Sequence, residues 1–208
     1  LCLDVNHRYY YGRTPIYNAC KNESIFRYLL DVAKEKSIEV NVSDKYGYTL
    51  MHLRDSYNRP SEPGYFRNAK IANILLERSE EFQIDVNAKD AKGMTPLHHA
   101  VKTGRTMLVN HFLDQAKDKG IDVCARDSKG RTILHHAFKR EFNGNEYRAR
   151  PITQYTLEKL TELFKRAEEF GLSGDERDVD GISALINLQN YMEHYQPLVY
   201  SKVPSIQY

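Results

Sequence analysis

Four stretches of the chain repeat one another: DVNHRYYYGRTPIYNAC (4–20), EVNVSDKYGYTLMHL (39–53), DVNAKDAKGMTPLHHA (85–100) and DVCARDSKGRTILHHA (122–137). In each, a valine precedes a glycine by seven positions: Val5 and Gly12, Val40 and Gly47, Val86 and Gly93, Val123 and Gly130. A weaker fifth copy, ERDVDGISALINL (176–188), keeps Asp178 three residues before Gly181. Self-similarity of this kind constrains the fold more than composition does, because a unit so short cannot bury its apolar face alone and must stack on its neighbours. The 208 residues are therefore expected as one elongated array and not as one or two globular domains.

Each copy carries the chemistry of a turn followed by a helix. Glycine suits a tight turn that needs positive φ, and an Asp three residues earlier accepts hydrogen bonds from nearby backbone N–H groups. A Thr then stands where it caps a first helix, and Pro follows at the first helical position, where its missing N–H is no loss. Thr14-Pro15 and Thr95-Pro96 keep both residues; Thr49-Leu50 and Thr132-Ile133 lose the Pro, and Ser183-Ala184 keeps only a hydroxyl. Downstream, SIFRYLLDVAKEKSI, AKIANILLERSEEFQI, RTMLVNHFLDQAKDKGI and TLEKLTELFKRAEEFGL place apolar residues at helical spacing. Leu29, Leu30 and Ala33, Leu75 and Leu76, Phe112, Leu113 and Ala116, and Leu160, Leu163, Phe164 and Ala167 are the expected core.

DVNAKDAKGMTPLHHA resembles the ankyrin-repeat consensus, a turn and two antiparallel helices in roughly 33 residues. The resemblance runs over about residues 4–190 and implies an all-α solenoid of helix-turn-helix units with β-hairpin-like turns. The expected copies cover 1–43, 44–89, 90–126, 127–177 and 178–190, with 191–208 as a C-terminal cap or linker. LCLDVN has the form of the closing piece of a preceding copy, so further repeats are expected upstream. The turn glycines lie 35, 46, 37 and 51 residues apart, so copies two and four are enlarged. The surplus falls between the two helices, in SYNRPSEPGYFRN (56–68) and FNGNEYRARPIT (142–153), whose Pro, Gly and Asn mark loops. Two readings of these inserts stand open: a widened binding rim, or tolerated drift.

Composition excludes several functional classes. Thirty Lys and Arg against 28 Asp and Glu give a formal charge of +2, too balanced to argue for nucleic acid or a membrane surface from the total. No apolar run is long enough to span a bilayer. Three scattered cysteines without a CxxC pair suit reduced thiols in a cytosolic or nuclear setting. No nucleophile triad, phosphate loop or metalloprotease motif is present, so neither an enzyme nor a small-molecule substrate or cofactor is expected. The pairs His98-His99 and His135-His136 invite a zinc site, yet the first His of each, like His52, sits where ankyrin repeats use histidine to bond the turn of the adjacent repeat.

The resemblance also implies which residues face the concave side: the two before the turn glycine, the one after it, and a pair late in helix one. These are Tyr10, Tyr11, Arg13, Lys21 and Asn22; Lys45, Tyr46, Tyr48, Ser56 and Tyr57; Ala91, Lys92, Met94, Lys102 and Thr103; Ser128, Lys129, Arg131, Lys139 and Arg140; and Val179, Asp180, Ile182, Asn190 and Tyr191. Lys or Arg occurs nine times in this set, Tyr six times and an acid once, so the face is enriched in the residue types that dominate binding energy. The expected function is a protein-interaction module whose partner is an acidic or phosphorylated segment. Nucleic acid or anionic lipid on the basic half is the alternative, and a third is a targeting arm for a catalytic domain outside these residues.

Overall fold

A computed structural model of the chain describes residues 4–53, 64–138 and 154–195. Five turns punctuate it, one per copy, and all close in the same way. The residue three before the glycine (Tyr9, Asp44, Asp90, Asp127, Asp178) donates its N–H to the carbonyl four residues on and accepts the glycine N–H, each bond at 2.8–3.0 Å. Gly12, Gly47, Gly93, Gly130 and Gly181 all take positive φ. Gly93 is the tightest, since a Cβ there would lie 2.6 Å from the backbone nitrogen of Ser128 in the next turn.

The conserved chemistry of the turn is the aspartate. In copies two to five its Oδ1 accepts from two more backbone N–H groups: Tyr46 and Tyr48 for Asp44, Lys92 and Met94 for Asp90, Lys129 and Arg131 for Asp127, Asp180 and Ile182 for Asp178. Copy one has Tyr9 in that place and lacks these bonds. There Tyr11 as well as Gly12 takes a left-handed conformation, with φ of 70°, which costs a residue with a Cβ roughly 1–2 kcal/mol.

The helices follow the expected order: α1 (Pro15–Ala19) and α2 (Glu23–Asp31) in copy one, then a 3-10 turn (Leu50–His52) and α3 (Gly64–Glu77) in copy two. Copy three has α4 (Pro96–Lys102) and α5 (Thr106–Asp114), extended by α6 (Ala116–Lys119). Copy four has α7 (Ile133–Phe138) and α8 (Gln154–Glu168), and α9 (Ala184–Tyr195) opens copy five. First helices pack on first helices, α4 on α7 and α7 on α9, while α2 packs on α3 and α3 on α5. Among the described residues there is no extended strand, only the isolated bridges Ser43–Thr49 and Arg177–Ser183 at the feet of turns.

The apolar stripes meet between these layers. Phe26 and Leu30, Ile71 and Leu75, Leu97, Leu108 and Phe112, and Ile133, Leu134 and Ala167 are buried in one continuous core, each large side chain contributing roughly 1.5–3 kcal/mol. Leu29, Leu160 and Phe164, expected in that core, lie half-buried at its margin.

Four differences from the sequence reading have local causes. Thr14 makes no side-chain cap, and its buried hydroxyl has no hydrogen-bond partner, because copy one carries Tyr17 where the other threonines find a histidine. The first helix of copy two lasts one 3-10 turn and stops at Leu53, which is left-handed at φ 46°. The sequence supplies Arg54, outside the described residues, where copies one, three and four have the small Ala19, Ala100 and Ala137. Gly64–Asn68, assigned to the first insert, belong to α3; the remainder of that insert and all of 142–153 lie outside the described residues. Finally, α9 continues to Tyr195, past the boundary expected at residue 190.

Candidate functional site

Histidines fix the register of the stack. His52, His98 and His135 accept the backbone N–H of Thr49, Thr95 and Thr132 on Nδ1, at 3.0, 3.3 and 3.1 Å. An N–H can only donate, so Nδ1 is unprotonated and Nε2 carries the hydrogen. Nε2 therefore donates across the repeat boundary, to the carbonyls of Met94, Arg131 and Ile182 at 3.1, 3.2 and 3.0 Å. Burial holds His52 and His98 in the neutral form, with pKa values pushed down to about 4. With both ring nitrogens engaged these histidines are spent as metal ligands, and no cluster suited to a metal ion occurs among the described residues.

The second histidine of each pair has another duty. His99 donates from Nε2 to Asp90 Oδ2 at 2.8 Å, and His136 to Asp127 Oδ2 at 2.9 Å. Arg131 adds Nε and Nη2 bonds to the same Asp127 oxygen, at 2.9 and 2.7 Å. Burial alone would raise the pKa of Asp127, but these donors, with the N–H groups of Arg131 and Lys129, hold it well below the carboxylate range. Asp44 has neither partner in its own copy and is met by Arg13 of copy one, 3.6 Å away. Asp44 and Asp127 are thus each faced by an arginine, and Asp90 by the His99 hydrogen bond.

Beyond these pairs, the turn tips are joined directly. The N–H of the first tip residue in one copy donates to the carbonyl of the second tip residue in the copy before it: Lys45 to Tyr11, Ala91 to Tyr46, Ser128 to Lys92, and Val179 to Lys129, at 2.8–3.0 Å. This ladder sets the tip side chains side by side in one row. Arg8 and Arg126 reinforce it, each bonding the carbonyl of its own turn glycine and the carbonyl just before the Asp that opens the next turn, Ser43 and Arg177 respectively. Neither arginine was singled out in sequence, though both stand one residue before the Tyr or Asp that opens the turn.

The residues expected on the concave face divide accordingly. Tyr10, Tyr11, Lys45, Tyr46, Lys92 and Lys129 are exposed along the tips. Tyr48 and Met94, placed on that face by sequence, are instead buried, at 8% and 1% exposure. The turn aspartate draws their N–H groups inward, so the residue after the glycine points under the next helix; the Tyr48 ring packs edge-on against His52 and His99. Arg13 and Arg131 occupy the same position and are folded onto Asp44 and Asp127. Lys102 is half-exposed as the last residue of α4, and Tyr191 lies in α9. Tyr57, Lys139 and Arg140 fall outside the described residues.

At the copy-one end the tips form a cluster. Tyr10 and Tyr11 meet edge-on with ring centroids 4.3 Å apart, and Tyr11 lies near-parallel to Tyr46 at 6.1 Å. Lys45 Nζ sits 4.3, 5.1 and 6.0 Å from the ring centres of Tyr11, Tyr46 and Tyr10. No carboxylate pairs with Lys45, Lys92 or Lys129 among the described residues, whereas acids of the outer helices are largely matched: Asp31 and Glu81 with Arg78, Glu23 with Lys70, Asp114 with Arg166.

Compared with known proteins, residues 64–147 match a family model described as ankyrin repeats, in three copies. No curated protein matches the chain. Ankyrin repeats are generally protein–protein interaction modules and typically non-catalytic. That match runs from the second helix of copy two into copy four, and with the same turn and helix chemistry continuing on both sides of it, the chain carries ankyrin repeats.

Proposed function

We propose that the chain is a protein-recognition module that holds an acidic or phosphorylated protein segment along its turn tips. The observation that carries this reading is the row of Lys45, Lys92 and Lys129, one cation per copy, exposed and without acidic partners among the described residues, on tips locked together by backbone bonds. The neighbouring carboxylates that would cancel the row, Asp44, Asp90 and Asp127, are buried, and Asp44 and Asp127 each already face an arginine. A row of one sign steers and orients a partner of the other. The row ends at Asp180, the tip residue of copy five, where an acidic partner is repelled.

Nucleic acid and anionic lipid are the weaker reading because the three cations of the row neutralise few phosphates, and phosphate-driven affinity grows with the number neutralised. The test is reversal of Lys92 and Lys129 to Glu, with partners captured from a lysate by the wild type serving as the probe. Capture falls at least about tenfold if the row is the contact, since two opposed charges replace two complementary ones. Undiminished capture, or binding of arbitrary duplex DNA or anionic vesicles that collapses with salt, refutes the reading.

A further inference from the structure

The tyrosines at the copy-one end leave much of their ring surface in solvent. Tyr10 is 80% exposed, and Tyr11 and Tyr46 are 40% and 43% exposed; the three rings pack on one another and on Lys45, and Tyr46 alone also touches the core ring of Tyr48. The turn that presents them is the one that forgoes aspartate, and Tyr11 is held there in a left-handed conformation that disfavours any side chain. Stability alone would place Asp and Gly at these positions, as the other turns do at the first of them. Strain maintained at a solvent-exposed aromatic cluster points to a ligand.

The resident cation decides the sign of that ligand. Lys45 Nζ already lies over the faces of Tyr11 and Tyr46, so a cationic guest meets both an occupied ring surface and a like charge. An anion meets the reverse: an ammonium held in place by the rings loses less side-chain freedom on pairing than a lysine free in solvent. The exposed face and edges of Tyr10 beside it suit a second aromatic ring in offset or edge-on contact. Because Lys45 N–H is bonded to the Tyr11 carbonyl, cation and rings are fixed relative to each other by the backbone.

We infer that Tyr10, Tyr11, Tyr46 and Lys45 form an anchor pocket for an aromatic residue flanked by an acidic one, at one end of the bound segment. This rests on the reading of the tip row as an acidic-segment site and adds its polarity: the aromatic anchor lies over copies one and two, and further acids lie over Lys92 and Lys129. Stacked helices stand roughly 8–10 Å apart, and an extended chain advances about 3.3 Å per residue, so those acids recur about every third residue.

Selection of a displayed random-peptide library on the immobilised chain tests this without a known partner. Wild type enriches sequences with an aromatic residue next to an acid at one end and further acids at about three-residue intervals. Tyr10→Ala with Tyr46→Ala keeps the acidic enrichment, loses the aromatic, and binds a synthetic wild-type-selected peptide about tenfold more weakly. Lys92→Gln with Lys129→Gln loses the downstream acids and keeps the anchor. Acidic enrichment without an aromatic, or an unchanged consensus from the tyrosine variant, overturns the anchor pocket and leaves the acidic-segment reading standing. No acidic enrichment at all overturns both. Thermal melts of each variant matching wild type establish that folding is not the cause.

Discussion

His98 donates its Nε2–H to the Arg131 carbonyl while its Nδ1 accepts the Thr95 N–H, so one neutral ring spans the boundary between copies three and four. Protonation would put a hydrogen on Nδ1, directly against that N–H. His52 repeats the arrangement one copy earlier.

The stack should therefore weaken in mild acid. Burial depresses His52 and His98 to about 4, and His136 to about 3, from an ordinary value of 6.5. The unfolded chain takes up these protons from pH 6.5 downward and the folded chain does not, so stability falls between pH 6.5 and 4 and is flat above pH 7. At pH 5 the loss is roughly 2 kcal/mol for each histidine. Circular-dichroism melts across pH 5–8 will show a declining midpoint on the acid side; a midpoint unchanged from pH 7 to 5 contradicts the assignment of neutral, donor-locked rings.

Glycines of equal φ should differ in tolerance. Gly93 and Gly104 both lie near φ 70°, but a Cβ on Gly93 meets the Ser128 backbone nitrogen at 2.6 Å, whereas one on Gly104 meets nothing within 4 Å. Gly104→Ala is expected to cost about 1 kcal/mol for the conformation alone, and Gly93→Ala at least about 2–3 kcal/mol because the next turn must also shift. Chemical denaturation of the two variants compares them directly.

Position 124 offers a gain. Asn6, Asn41 and Asn87 each donate their side-chain amide to a carbonyl just past the next second helix in the chain: Ser37, Phe82 and Gln83, and Gly120 respectively. Cys124, in the same place, has only a thiol facing the Phe170 carbonyl at 3.3 Å. Cys124→Asn restores the amide and should add about 1 kcal/mol. A midpoint lower than wild type rules out the equivalence of these sites.

Two neighbouring cations separate structure from recognition. Arg131 holds the buried Asp127, so Arg131→Ala is expected to destabilise by about 2 kcal/mol. Lys129 has no acidic partner among the described residues, and Lys129→Ala should stay within about 0.5 kcal/mol of wild type. Equal losses for both would show that the tip lysine carries structural weight.

The turns and the core were legible because glycine, aspartate, threonine and apolar spacing each act locally, and every one of the five turns closes where the sequence places it. Exposure on the binding face was less so. A pattern that treats the residue after the glycine as outward-facing cannot register that the aspartate Oδ1 pulls it inward, which is why Tyr48 and Met94 are buried and Arg131 is spent on Asp127. The cage around Lys45 was hidden for a different reason: Tyr11 and Tyr46 are 35 positions apart and meet only through the tip ladder. The shortened first helix of copy two had a signal in Arg54, which replaces the small residue that packs in the other copies.

Because the tip-to-tip bonds among the described residues join adjacent copies, an injury to one rung is felt by its immediate neighbours and fades along the row. Damage to the turn of copy four would leave the aromatic end in place while releasing the far end of whatever lies across it. Grip on a long guest would then decline step by step as rungs are removed, with the length of guest retained tracking the number of turns still joined.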